Sequence, residues 1–152
     1  MIRRLAHAAM VILSVAAAVL IVQTPAHAAT ALSVTYVHSG GTGAIAAKVT
    51  GSITWLNRSV QINNPALYVK AGECAQVVFD GWAGLPQEDI LIASRTEGWC
   101  NIGGPSRYES IAAYGAPIVL DGSVYGPGGI QTITVSVEDL THNGHETGQY
   151  SR

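Results

Sequence analysis

Charge is scarce in this chain. Lys, Arg, Asp and Glu together make up 12% of its 152 residues, about half the share usual for soluble domains. With eight basic and ten acidic side chains, no basic stripe exists to meet a phosphate backbone. Nucleic acid and anionic membrane surfaces are therefore not expected partners. The outer surface must be wetted mainly by Ser, Thr, Asn, Gln and Gly. Helical periodicity is hard to find beyond the N-terminus, which excludes helix bundles and nucleotide-binding strand–helix alternations. No hydrophobic run closes the C-terminus, and no cysteine follows the one apolar run near the start. Neither a C-terminal anchor nor a lipid anchor is expected.

That apolar run has a specific setting. Arg3 and Arg4 precede it, it extends from Ala8 to Val22 with one break at Ser14, and Ala26-His27-Ala28 follows. Positive start, apolar stretch and small-x-small box, in that order, read as a helical secretory signal peptide over residues 1–28, cleaved after Ala28. A membrane anchor would need about 20 apolar residues, and this stretch is shorter and soon meets Pro25. Removing residues 1–28 leaves 124 residues, six basic against ten acidic side chains and a formal net charge of −4. That length suits a single domain with one core.

Cysteine is the other scarce residue. Cys74 and Cys100 are the only two. In an exported chain an even count reads as a disulfide, and two cysteines allow one intramolecular pairing. Closing that loop should stabilise the fold by about 3–4 kcal/mol.

What the remaining chain has in quantity is period-two alternation. Leu32, Val34 and Tyr36 alternate with Ser33 and Thr35. Ile45, Ala47, Val49, Gly51, Ile53 and Trp55 share one face of a longer stretch, and Ile133, Val135 and Val137 share one near the end. Shorter strand candidates are 60–62, 66–69, 75–79, 90–96 and 118–120. The apolar phase switches from odd to even positions around Asn57-Arg58-Ser59, which predicts a bulge or tight hairpin. Asn63-Asn64-Pro65 reads as an interruption. Cys74 and Cys100 should face each other at the open end of a hairpin whose tip is the 81–89 loop. About seven strands separated by regular turn signals predict an all-β, antiparallel two-sheet sandwich over residues 29–140, immunoglobulin-like in architecture only. A small β-barrel is the alternative. Residues 141–152 are polar and Gly-containing and read as a flexible tail.

One segment, Val49-x-Gly51-x-Ile53-Thr54-Trp55-x-Asn57-Arg58-Ser59-Val60, resembles a stretch found in small secreted β-rich proteins of actinobacteria. The resemblance covers Lys48 to Arg95 loosely, and its specific part is the Trp-x-Asn-Arg-Ser-Val core. It implies export and a β-rich domain, and it carries no catalytic residue across.

Candidate chemistry is sparse. His142, His145 and Glu146, with Glu138 and Asp139 just upstream, form the one cluster of metal-ligand types, suited to zinc, nickel or copper. It falls in the expected tail, and the only other histidine of the exported part, His38, is far away in sequence. Trp82, Tyr125 and Tyr108 lie beside Gly- or Pro-containing turns and are candidate ligand contacts, because flat rings match the apolar faces of sugars. Trp55 shares a face with Ile53 and reads as core, whereas Trp99 adjoins Cys100 and could pack over the disulfide. The pairs Glu88-Asp89 and Glu138-Asp139 are sequence neighbours, which point to opposite faces of a strand and make no carboxylate dyad. No Gly-x-Ser-x-Gly elbow is present.

The resulting expectation is a secreted, extracellular bacterial protein that acts by binding rather than catalysis. Its partner would be a cell-wall or extracellular glycan, or a secreted protein. No cofactor is implied. Two alternatives are an inhibitor of secreted hydrolases presenting the 81–89 loop, and an extracellular hydrolase.

Overall fold

The computed structural model describes residues 28–38, 43–84, 90–124 and 128–152. The expected signal segment up to His27, the tip residues 85–89 and Tyr125 lie outside the described residues.

Alternating stretches become strands. In chain order these are β1 (Thr30–Val37), β2 (Ile45–Trp55), β3 (Val60–Val69), β4 (Cys74–Trp82), β5 (Leu91–Cys100), β6 (Arg107–Ser110), β7 (Ile118–Leu120), β8 (Thr132–Asp139) and β9 (Gly144–Ser151). All pairings are antiparallel. One sheet runs β1-β2-β3-β6, with β7 also on β3, and the other runs β5-β4-β8-β9. Neither sheet closes on itself, so the architecture is the sandwich and not the barrel. Inward residues from both sheets, among them Val34, Val49, Ile53, Ile62, Leu67, Phe79, Val135 and Val137, form one buried core. Burying each such side chain stabilises the fold by about 1.5–3 kcal/mol. Trp55 is part of that core, as its phase predicted.

The phase switch at Asn57–Ser59 is a tight hairpin, closed by the Leu56 N–H donating to the Ser59 carbonyl at 2.9 Å. The expected interruption at Asn63-Asn64-Pro65 is instead a bulge within the continuous strand β3. Asn64 takes a positive φ of 48°, and the β2–β3 register shifts between Thr50 and Ser52. Gly51 faces the bulge because a Cβ there would stand 2.9 Å from the Asn63 carbonyl oxygen. The bulge also divides the outer edge of β3, where β7 pairs with Val60–Ile62 and β6 pairs with Ala66–Val69.

The disulfide joins Cys74 and Cys100, which are direct register partners at the open end of the β4–β5 hairpin.

Residues 141–152 correct the sequence reading. Rather than a flexible tail, they make the β8–β9 turn and the edge strand β9, paired to β8 from Gly144↔Asp139 to Ser151↔Thr132. The apolar signal is weak because β9 offers glycine to the interior where other strands offer valine. A Cβ on Gly148 would meet the Val34 methyl at 2.7 Å, so a side chain there would displace β1. Two residues on, the Tyr150 hydroxyl accepts from the Ser33 N–H at 3.1 Å and donates to the Ser33 carbonyl at 3.2 Å, linking the two sheets.

Candidate functional site

Three strands end in polar residues on the same inner face that carries the core. Side chains alternate along a strand, so every second residue stays inside. Extending that rule past Val34 and Tyr36 leads to His38. Stepping back from Val77 and Ala75 leads to Glu73, and stepping forward from Val135 and Val137 leads to Asp139. The core thus ends, at one end of the sandwich, in an imidazole and two carboxylates. His142, from the β8–β9 turn, adds a second imidazole. The four residues offer donor atoms that all lie within 4.8 Å of one another.

Glu73 and Asp139 are 6% and 2% exposed, a costly position for carboxylates unless they are paired or hydrogen-bonded. Asp139 meets the condition fully. Its Oδ1 accepts from the backbone N–H groups of Thr141 at 2.9 Å and His142 at 3.2 Å. Its Oδ2 then faces His142 Nδ1 at 3.0 Å and His38 Nδ1 at 3.6 Å. Glu73 meets it by half. Its Oε1 accepts from Lys70 Nζ at 2.9 Å and faces His38 Nε2 at 3.2 Å. Its Oε2 is buried with no hydrogen-bond partner among the described residues. The two imidazoles meet edge to face with centroids 4.6 Å apart.

A rigid frame holds these groups. The Asn101 N–H donates to the Glu73 carbonyl at 2.9 Å, and the Asn101 side-chain amide donates to the carbonyls of Val69 and Pro105. Thr141 Oγ1 accepts from the Cys74 N–H, and the Leu140 N–H donates to the Cys74 carbonyl. The β3–β4 turn, the β8–β9 turn and the disulfide are therefore fastened to one another beside the site.

Of the three residues expected to form the metal cluster, His142, His145 and Glu146, the site includes His142 alone, joined by the upstream Asp139. Within β9, His145 pairs with Glu138 and Glu146 pairs with Val137, so the two point to opposite faces of the sheet. His145, with Glu138, Asn143 and the turn, lines a shallow pocket of about 220 Å³ on the outer side. Glu138 and Asp139 do separate to opposite faces, as neighbours on a strand must. The distant His38 arrives because β1 and β8 belong to facing sheets.

The aromatic candidates also divide. Trp82 is the last residue of β4 rather than a loop-tip residue, half-buried, with its indole N–H donating to Thr134 Oγ1 at 3.0 Å. Trp99 packs against the core, with the Arg107 guanidinium 5.2 Å from the centre of its ring. Tyr108 is 48% exposed and lies on edge strand β6 directly opposite Tyr68. Their rings sit 5.3 Å apart at 59°, with Lys48 across from Tyr68 on the other side. Tyr68 escaped the sequence reading because β6, which brings Tyr108 to it, has no apolar alternation.

Comparison with protein-family models, with curated proteins and with solved structures finds no match to this chain. The class that the fold itself defines is a disulfide-bonded, antiparallel two-sheet β-sandwich.

Proposed function

We propose that this protein is an exported, non-catalytic binding module that takes an extracellular glycan on the outer face of its β1-β2-β3-β6 sheet. The observation that carries the reading is the Tyr68–Tyr108 pair. Two tilted phenol rings, one half-exposed on an edge strand, combine apolar ring surface with two hydroxyl groups. A pyranose has a matching apolar face and a hydroxylated edge, and aromatic rings that combine an apolar body with a polar tip suit such a boundary. Lys48 beside Tyr68 favours a glycan that carries carboxylate or phosphate groups, such as a cell-wall polymer. Export is supported by the order of charge, apolar run and small-residue box over residues 1–28, and by the Cys74–Cys100 bridge, which persists in oxidising surroundings. Among the described residues no helix is long and apolar enough to cross a membrane.

The test is sedimentation of the secreted, purified protein with insoluble chitin, cellulose and bacterial cell-wall sacculi. Wild type should be retained on at least one of them, most strongly on the acidic wall polymer. Tyr108→Ala should reduce retention about tenfold, while Trp82→Ala should leave it unchanged. Absence of wild-type retention on all three, or equal retention by Tyr108→Ala, would overturn the reading.

A further inference from the structure

We infer that His38, Glu73, Asp139 and His142 form a binding site for one divalent transition-metal ion of the zinc class. The inference is independent of the glycan reading. Two observations carry it. The first is convergence: two imidazoles and two carboxylates from three separate chain segments meet with donor atoms no more than 4.8 Å apart. The second is the buried Glu73 Oε2, which lacks a partner among the described residues. A carboxylate oxygen in that position costs free energy unless something positive or hydrogen-donating meets it.

The distances suit a small cation. Zinc bound to nitrogen and oxygen at ~2.0–2.1 Å holds tetrahedral donors about 3.3 Å apart. Asp139 Oδ2 already stands 3.0 Å from His142 Nδ1 and 3.6 Å from His38 Nδ1, bracketing that separation. Glu73 supplies the fourth donor, within 4.8 Å of the other three. The surroundings resemble a metal's outer shell. Asp139 Oδ1 is tied to two backbone N–H groups, which aims Oδ2 at the imidazoles, and Lys70 holds the other oxygen of Glu73. Outer contacts of this type orient ligands and preset their geometry.

Charge and donor type select the ion. Glu73 and Asp139 bring two negative charges, and Lys70 returns one. A divalent cation takes that remaining negative charge to a net positive one, which the carboxylates hold easily, and it gives the orphaned Glu73 oxygen a partner. Two imidazole nitrogens disfavour calcium and magnesium, which take oxygen ligands, and favour zinc, nickel or copper. His38 follows β1 of one sheet, whereas the other three residues flank β4 and β8 of the second sheet. A bound ion therefore clamps the two sheets together at this end. Metal held at 100 times its Kd raises the folded-to-unfolded ratio about 100-fold.

Calorimetric titration of the secreted, chelator-treated protein with zinc chloride alone tests the site. One ion per chain with micromolar or tighter affinity is expected. His142 is half exposed (51%), so His142→Ala should fold normally and bind at least tenfold more weakly. His38→Gln should do the same, and His145→Ala and Glu146→Ala should bind as wild type. In parallel, zinc should raise the melting temperature of wild type by several degrees, reversibly with chelator, and leave that of His142→Ala unmoved. Binding no tighter than millimolar, unchanged affinity in either His38→Gln or His142→Ala, or loss of binding in His145→Ala each overturns the site.

Discussion

Breaking the Cys74–Cys100 bridge is the perturbation whose size follows most directly from the structure. The cysteines are 26 residues apart in sequence and face each other in register at the open end of β4–β5. The bridge acts on the unfolded chain, which must otherwise lose the entropy of closing that loop. For a separation of 26 residues the loss corresponds to about 3.5 kcal/mol at room temperature. The native state gives little of this back, because β4 also pairs along its other edge with β8, from Ala75↔Asp139 to Trp82↔Thr132. The double variant Cys74→Ala/Cys100→Ala should therefore fold to the same sandwich but unfold more readily. At a slope of ~1.5 kcal/mol per molar, its urea midpoint should fall by about 2 M, and its melting temperature by roughly 10–15 °C. Urea unfolding followed by tryptophan fluorescence, on oxidised wild type, reduced wild type and the double variant, measures this. A loss below ~1 kcal/mol, or identical curves for oxidised and reduced wild type, would refute the loop-entropy argument.

Two further outcomes probe other parts of the fold. Tyr150→Phe removes the hydroxyl that bonds both the N–H and the carbonyl of Ser33, and should cost about 1 kcal/mol in urea unfolding. An unchanged midpoint would mean that water replaces the link without loss. Asp121 supplies a pH signature. The Ser123 N–H, the Ser123 hydroxyl and the Ser59 hydroxyl hold its carboxyl below the ordinary aspartate value of 3.8. The unfolded chain therefore takes up that proton first as pH falls. The stabilisation is present above pH 3.8 and is lost as pH drops through the lower folded value. Asp121→Asn should flatten the acid limb of the stability curve. Equal changes in urea midpoint between pH 5 and pH 3 for the two proteins would sink this account.

Local chemistry carried much of the fold. Strict alternation in 32–36, 47–55 and 133–137 specified strands and their inner faces, because a period of two leaves one wet side and one dry side. Ile45, expected on the inner face, is exposed and Ala46 is buried instead, because the β1–β2 register shifts there. The phase switch at Asn57–Ser59 pointed to a bulge or a tight hairpin, and the Leu56–Ser59 hydrogen bond makes it a hairpin. The cysteines specified their own partner, being the only pair. Each of these signals lies within a few neighbouring residues or is a matter of count. The bulge at Asn63–Pro65 looks like an interruption in sequence because its Asn-Asn-Pro residues favour turns, yet they fit a strand here because the facing residue, Gly51, has no side chain to resist them. Strand β9 shows little apolar alternation for a similar reason. Its interior positions Gly144 and Gly148 are occupied in space by Tyr36 and Val34 from β1, so its apolar content is supplied by another strand.

The candidate sites were legible only in parts. Tyr108, His142 and Asp139 stand out by type, whereas Tyr68 and Glu73 gain significance only from their partners. Alternation continued one step past the apolar run places His38, Glu73 and Asp139 on the inner face, and that step is available from residue order alone. Their meeting is not. It depends on which strands face each other, on the register of β8 against β4, and on the turn that returns His142 to Asp139. The sequence by itself determined an antiparallel β protein with one disulfide, because alternation and cysteine count act locally. Only tertiary packing decided that two imidazoles and two carboxylates share one end of the core, because contacts between distant segments are set by how the sheets stack.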